Sequence, residues 1–144
     1  MGRTKDIYIQ QLEGDIYNGV YDNEIHQMEV TPQGVELYNQ KLNQMNKKIF
    51  NKYVLHICKE FYLEQQELFA KDKRTDLVDA RHLLYYLSIE TPMTIAQLIK
   101  YMKDNEYDIS HSSIYHGYNK VKFLSTSNSQ WKEMVKRIQS ECIN

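Results

Sequence analysis

Four small or polar residues in a row, Ser110, His111, Ser112 and Ser113, stand where a polar turn gives way to a segment with helical apolar spacing. Ser110 can cap a helix there, its side-chain oxygen accepting from a backbone N–H of the first turn. The end of such a helix carries free N–H groups and partial positive charge, which suit a phosphate. Small side chains let that end come close to a duplex, and His111 can meet a thymine methyl or donate to a base edge. Each residue also has a local use: the serines as caps of their own helix, His111 as a capping or partly buried imidazole. The remaining chemistry is sparse. Cys58 and Cys142 are far apart without metal-ligand spacing and read as buried free thiols. His116 lies five residues after His111, off its face, which disfavours a shared metal site. No carboxylate pair, metal cluster or activated nucleophile is visible, so neither catalysis nor a metal is expected. GxGxxG and GxxxxGK[ST] are both missing, so no nucleotide cofactor is expected.

The elements that must position the Ser-His-Ser-Ser turn are helical. Thr31-Pro32 marks a helix start, a cap followed by proline at the first helical position. A long helix is predicted over about 32–62, with Leu42, Met45, Ile49, Tyr53 and Ile57 on its apolar stripe and Phe50, Val54 and Phe61 widening it. Residues 64–69 read as a short helical turn and 71–76 as a charged loop. A helix over about 77–89 turns Ala80, Leu83, Leu84 and Leu87 inward, and Thr91-Pro92 stops it. Thr94 caps a third helix with Ile95, Leu98, Ile99 and Met102 on its apolar face. After the polar turn 103–109 comes the helix capped by Ser110, with Ile114, Gly117, Tyr118, Val121 and Leu124 along one side. A last helix over about 128–141 carries Trp131, Met134, Val135 and Ile138. Tyr85, Tyr86, Tyr115 and Tyr118 read as core and rim aromatics, and Trp131 as a core anchor.

Composition agrees with an all-α chain. With 144 residues, 42% of them hydrophobic and 26% charged, there is enough for one domain with a real core. Five glycines and two prolines are too few for an all-β design with its frequent turns. No apolar run reaches the ~20 residues of a membrane helix, and no signal-peptide pattern opens the chain, so a soluble, cytoplasmic protein is expected. The net charge of −1 hides an asymmetry: residues 1–40 hold 2 Lys/Arg against 7 Asp/Glu, and residues 41–144 hold 16 against 12. Residues 1–30 are expected to form an acidic, partly ordered arm, either a solubilising tail or a segment that binds a partner or masks the basic loop.

The third and fourth helices with their turn have the outline of a helix-turn-helix, whose second helix offers its N-terminal residues to the major groove. The residues strengthen that outline. Cys58-Lys-Glu-Phe-Tyr-Leu-Glu-Gln-Gln-Glu-Leu-Phe-Ala-Lys-Asp-Lys-Arg74 combines two aromatics at a helix end, a short helical turn and a basic loop. Val78-Asp-Ala-Arg-His-Leu-Leu-Tyr-Tyr-Leu87 follows as an arginine-containing helix. His111-Ser-Ser-Ile-Tyr-His-Gly-Tyr-Asn-Lys-Val121 places a His, two hydroxyl residues, an aliphatic, a small residue and a Lys-aliphatic pair in register. From about Cys58 to Val121, under half of the chain, this resembles the C-terminal DNA-binding domain of the bacterial replication initiator DnaA, whose signature is D-H-T-T-V-x-x-A-x-x-K/R-I. Residues 1–57 do not resemble the family's ATPase domain.

The resemblance implies that Lys73 and Arg74 approach the minor groove or phosphates, and that Arg81 donates to a phosphate or else pairs with Asp76 or Asp79. It implies that Ser110, His111, Ser112 and Ser113 enter the major groove and that Lys120 contacts the DNA backbone. Three departures accompany it. Ser110 stands for the family's Asp and Ile109 for its Arg, the turn before the helix is longer than the family's Gly-Gly type, and Asp72 and Asp76 dilute the basic loop. The expected function is non-catalytic double-stranded DNA binding by a small replication-related or regulatory factor. The Tyr-, Asn- and Lys-rich composition fits an AT-rich genome such as that of a phage or mobile element. The alternative is the same scaffold used as a protein-interaction module with DNA binding lost. The long helix at 32–62 exceeds what one small domain needs, which leaves room for a homodimer.

Overall fold

The computed structural model describes residues 31–143. The arm expected at residues 1–30 lies outside them. All elements among the described residues are helices: α1 (Pro32–Glu60), α2 (Gln65–Leu68), α3 (Thr75–Glu90), α4 (Ile95–Asp104), α5 (His111–Ser127) and α6 (Ser129–Ile143). The all-α class read from periodicity is therefore the observed one. No helix among the described residues is long and apolar enough to cross a membrane. The chain divides into the units Met1–Met45 and Asn46–Asn144. Of the first, the structure describes the opening turns of α1, where the Thr31 hydroxyl accepts from the Gly34 N–H at 3.0 Å as a cap should.

In the second unit, α3 is the central helix. Leu77, Ala80, Leu83, Leu84, Tyr85, Tyr86 and Leu87 are all buried, so the core surrounds it instead of lying along one stripe. That is broader than the inward face expected from spacing alone. α1 contributes Phe50, Tyr53, Val54 and Ile57, while α4 adds Leu98, Tyr101 and Met102. α5 contributes Ile114 and Val121, and α6 contributes Val135 and Ile138. Phe50 meets Tyr101 with ring centroids 5.4 Å apart, and Tyr86 stacks on Tyr118 at 5.3 Å. Trp131 is partly buried and tilts against Phe61 at 6.4 Å.

The α1 stripe differs from expectation at one turn. Met45, placed inward by spacing, is 53% exposed, and Asn46 is buried in its stead. The Asn46 side-chain amide donates to Gln97 Oε1 at 3.2 Å, the same oxygen that accepts from the Thr94 N–H at 3.1 Å. A polar side chain can replace a thioether there because its partner is built into the α4 cap.

Both α1 and α4 end in the same device. Leu63 N–H donates to the Cys58 carbonyl at 2.8 Å and Tyr62 N–H to Lys59; Tyr107 N–H donates to Met102 at 3.0 Å and Glu106 N–H to Lys103. These are Schellman ends, in which the residue past the cap turns left-handed. Here Tyr62 (φ 54°) and Glu106 (φ 62°) take positions that glycine fills at lower cost. Two such ends without glycine also explain why the chain needs so few glycines. At the end of α3, the Thr91 hydroxyl donates to the Leu87 carbonyl at 2.6 Å, which leaves Tyr53 as donor in their 2.5 Å contact.

Candidate nucleic-acid interface

The candidate surface rests on α4, the turn 105–110 and α5, both helices packed against α3. The capping read from sequence is in place. Thr94 accepts from the Gln97 N–H and Gln97 from the Thr94 N–H, a reciprocal box. Ser110 Oγ accepts from the Ser113 N–H at 3.2 Å and donates to Ser113 Oγ at 3.0 Å. Ser110, His111, Ser112 and Ser113 are all exposed at the tip of α5. The local use of Ser110 and the exposure needed for a ligand thus occur together, because a cap spends the hydroxyl inward and leaves the first-turn backbone N–H groups facing out.

The turn before α5 is polar in sequence but not loose. Tyr107 is buried, and its ring lies under two cations, Lys71 Nζ at 4.0 Å and the Arg81 guanidinium at 5.2 Å from the centroid. Lys71 also donates to the Asp108 carbonyl. These contacts bring the loop 71–74 beside the turn that launches α5, two segments more than thirty residues apart in sequence.

Arg81 requires a correction. It is 5% exposed, and its guanidinium donates to three backbone carbonyls: Leu68 at 3.1 Å, Ala70 at 3.0 Å and Asp72 at 2.6 Å. The carboxylates of Asp76 and Asp79 are not its partners, and a guanidinium buried on three carbonyls has no face left for a phosphate. The planar fork of Arg fits three acceptors on a curved loop, and burial makes that satisfaction obligatory. Arg81 positions the basic loop from beneath and does not itself reach the surface.

The other predicted cations are exposed, but most are neutralised within the chain. Arg74 lies 3.0 Å from Glu67, 3.8 Å from Asp72 and 3.6 Å from Asp76. The hydrogen bond to Glu67 comes first among the causes that raise its guanidinium pKa further. Lys120 sits 3.9 Å from Asp79, whose carboxyl burial pushes up while Lys120 draws it down. Lys73 is exposed and makes no ion pair among the described residues. A continuous positive face joining residues 71–81 to 110–120 is therefore not formed by these side chains.

His116, Asn119 and Phe123 add to the α5 surface beyond the residues that the sequence singles out for DNA. Ile114, Gly117 and Val121 are buried, so Ser112, His116 and Asn119 fall on the opposite, exposed side of the same helix. Phe123 continues that side and is 67% exposed. The signal was present in the same three-and-four spacing that identified the core face. An outward-facing Asn is the side chain that pairs bidentately with adenine.

Beneath α5, His82 of α3 meets His116 edge to face at 5.8 Å and lies close under Gly117. Its Nδ1 is buried without a hydrogen-bond partner among the described residues. Burial, with smaller electrostatic contributions from Lys120, His116 and Arg81, holds its pKa down at about 4 against an ordinary 6.5. Between those two values the unfolded chain binds a proton that the folded chain refuses, so stability rises with pH across the window. Lowering the pH from 6.5 towards 4 is expected to cost about 1–2 kcal/mol through this group, allowing for its partial contact with solvent. Urea titrations of wild type and His82→Gln at several pH values measure it. The difference between the two should shrink as pH falls, and parallel profiles would remove His82 as the cause.

A groove of about 440 Å³ lies away from α5's N-terminus, lined by Phe61, Trp131, Met134, Glu60 and Arg137 among others. Arg137 and Glu60 close one side with paired bonds of 2.9 and 2.8 Å. Cys58 and Cys142 are free and buried; burial pushes both thiols up, Cys142 to about 11. No known family model matches the chain.

Proposed function

We propose that the chain binds double-stranded DNA without catalysis, placing the N-terminal turn of α5 in the major groove. The observation that carries this reading is the joined placement of two elements. An exposed, serine-capped helix start stands beside a basic loop, and Lys71, Tyr107 and Arg81 lock the two together. His111 and Ser112 are the first groups to meet base edges, with His116 and Asn119 following along the exposed side. Lys73 and Lys120 hold phosphates, the latter by exchanging Asp79 for the DNA backbone. Arg74 must likewise leave its carboxylates, which weakens this half of the interface relative to a free basic loop. The DnaA-like register of residues 58–121 supports the same assignment, and the factor belongs with replication or its regulation on that resemblance.

A titration by fluorescence anisotropy against a randomised duplex pool at two salt concentrations, with the retained DNA sequenced, tests the proposal. The expected result is salt-sensitive binding with an enriched motif, because neutralised phosphates release counterions. His111→Ala should then lose about 1–2 kcal/mol of affinity at the motif and little on random DNA. Absence of binding at low salt would overturn the proposal in favour of a second reading. That reading is a protein-interaction module, and the neutralisation of Arg74 by three carboxylates favours it.

A further inference from the structure

The outer face of α1 is a surface of opposite character to the loop. Between Glu36 and Glu60 the chain has no Asp or Glu and five lysines, Lys41, Lys47, Lys48, Lys52 and Lys59. Lys47 pairs with Asp104 at 3.5 Å. Lys48, Lys52 and Lys59 are separated by four and seven residues, which at ~100° per residue puts them within about 60° of one another. They lie on the side opposite Phe50, Tyr53 and Ile57, all three exposed, with Leu55 (62% exposed) between Lys52 and Lys59. None makes an ion pair or side-chain hydrogen bond among the described residues. Glu60 is engaged by Arg137 at 2.8 Å and Glu141 by His56 at 3.0 Å.

We propose that this face is a second contact for the phosphate backbone of a double-stranded nucleic acid, separate from the base-reading turn of α5. A rigid helix carries the three ammonium groups along about 16 Å, a length over which a duplex presents a charge every ~1.7 Å. Lysine suits this role because it is a mobile point charge that needs no fixed geometry at the phosphate. A lipid surface fits poorly. An interfacial helix immerses its apolar face, and the apolar face of α1 in this unit is occupied by the core, leaving a single leucine among lysines. Among the described residues, Arg74 and Lys120 near α5 are held by carboxylates, whereas Lys48, Lys52 and Lys59 on α1 are not.

The test compares wild type, K48E/K52E/K59E and H111A on a long duplex of random sequence, by anisotropy over a series of salt concentrations. Circular dichroism and urea midpoints accompany it, and K48Q/K52Q/K59Q serves if charge reversal disturbs folding. The expected result is a loss of at least about tenfold at low salt for the α1 variant, with the slope of log K against log salt shallower by about 2–3. An α1 variant whose affinity and slope match wild type would overturn the inference while leaving α5's role standing. Loss with the α1 variant, but no motif and no effect of H111A on any duplex, would support it and remove the base-reading proposal. Wild-type binding to poly-aspartate without binding to any duplex would overturn the inference in favour of an acidic protein partner.

Discussion

Replacing Arg81 by alanine is expected to destabilise the fold by about 2–4 kcal/mol, a large fraction of a small domain's stability. The change strips three backbone carbonyls, those of Leu68, Ala70 and Asp72, of their donor at once. The first of those bonds is fully buried, where an unmet acceptor carries its desolvation cost. Water can reach the outer two as the loop opens, which keeps the loss below the sum of three charged hydrogen bonds. Arg81→Lys should recover only part, since one ammonium cannot span three acceptors on a curved loop. The measurement is a urea unfolding series on the full chain. A shift in midpoint under about 0.5 kcal/mol would mean that the loop is held mainly by other contacts. DNA binding gives a second readout: with Lys71 and Tyr107 no longer braced, the phosphate contact proposed for Lys73 should weaken even under conditions where the variant remains folded.

Gly117→Val should cost roughly 3 kcal/mol, at the upper end of overpacking changes. α5 crosses α3 at this glycine, and a Cβ there would stand 2.5 Å from His82 Cδ2 and 2.9 Å from Tyr85 Cδ2. Both atoms belong to rings seated in the interface, and Tyr85 is 2% exposed, so neither can swing away freely. Alanine at this position gains about 1 kcal/mol of helix propensity over glycine but still meets the His82 ring. Its net cost should therefore be smaller than that of valine. Thermal or urea unfolding decides the matter. Equal stability of wild type and Gly117→Val would mean that the two helices slide apart without penalty, and the tip of α5 would then lose its fixed position over the loop.

How far the residues revealed this arrangement depends on whether the partner was near in sequence. Caps are local: Thr31, Thr94 and Ser110 each accept from an N–H three residues on, so residue type and spacing sufficed to place all three helix starts. The helix content followed from apolar periodicity for the same reason. Arg81 was read as a surface cation because nothing in its own helix indicates the acceptors, which lie nine to thirteen residues back on a loop. Tyr107 looked like part of a polar turn, since its burial depends on Lys71 and Arg81 closing over it from another segment. Asn46 took Met45's place through a glutamine on α4, a contact fifty-one residues distant. The balance of charge around Arg74 was partly legible, because Asp72 and Asp76 adjoin it in sequence, whereas Glu67 reaches it only through the fold.

The proposed division of labour between the two basic regions follows from the same physics. A cation already paired gives up part of its gain when it turns to a phosphate, while a free lysine gives up only hydration. If the two proposals hold, base contact at α5 and phosphate contact at α1 separate by mutation, one affecting discrimination between sequences and the other affecting affinity for all of them.

The most direct measurement is the mapping of backbone amide chemical shifts by NMR during titration with a duplex selected from the random pool. The amides of Ser110–Ser113 and of the loop 71–74 should move first and furthest, with a further set on the lysine face of α1. Perturbations that leave the first turn of α5 untouched, or that gather around Phe61 and Trp131 instead, would contradict the proposed interface.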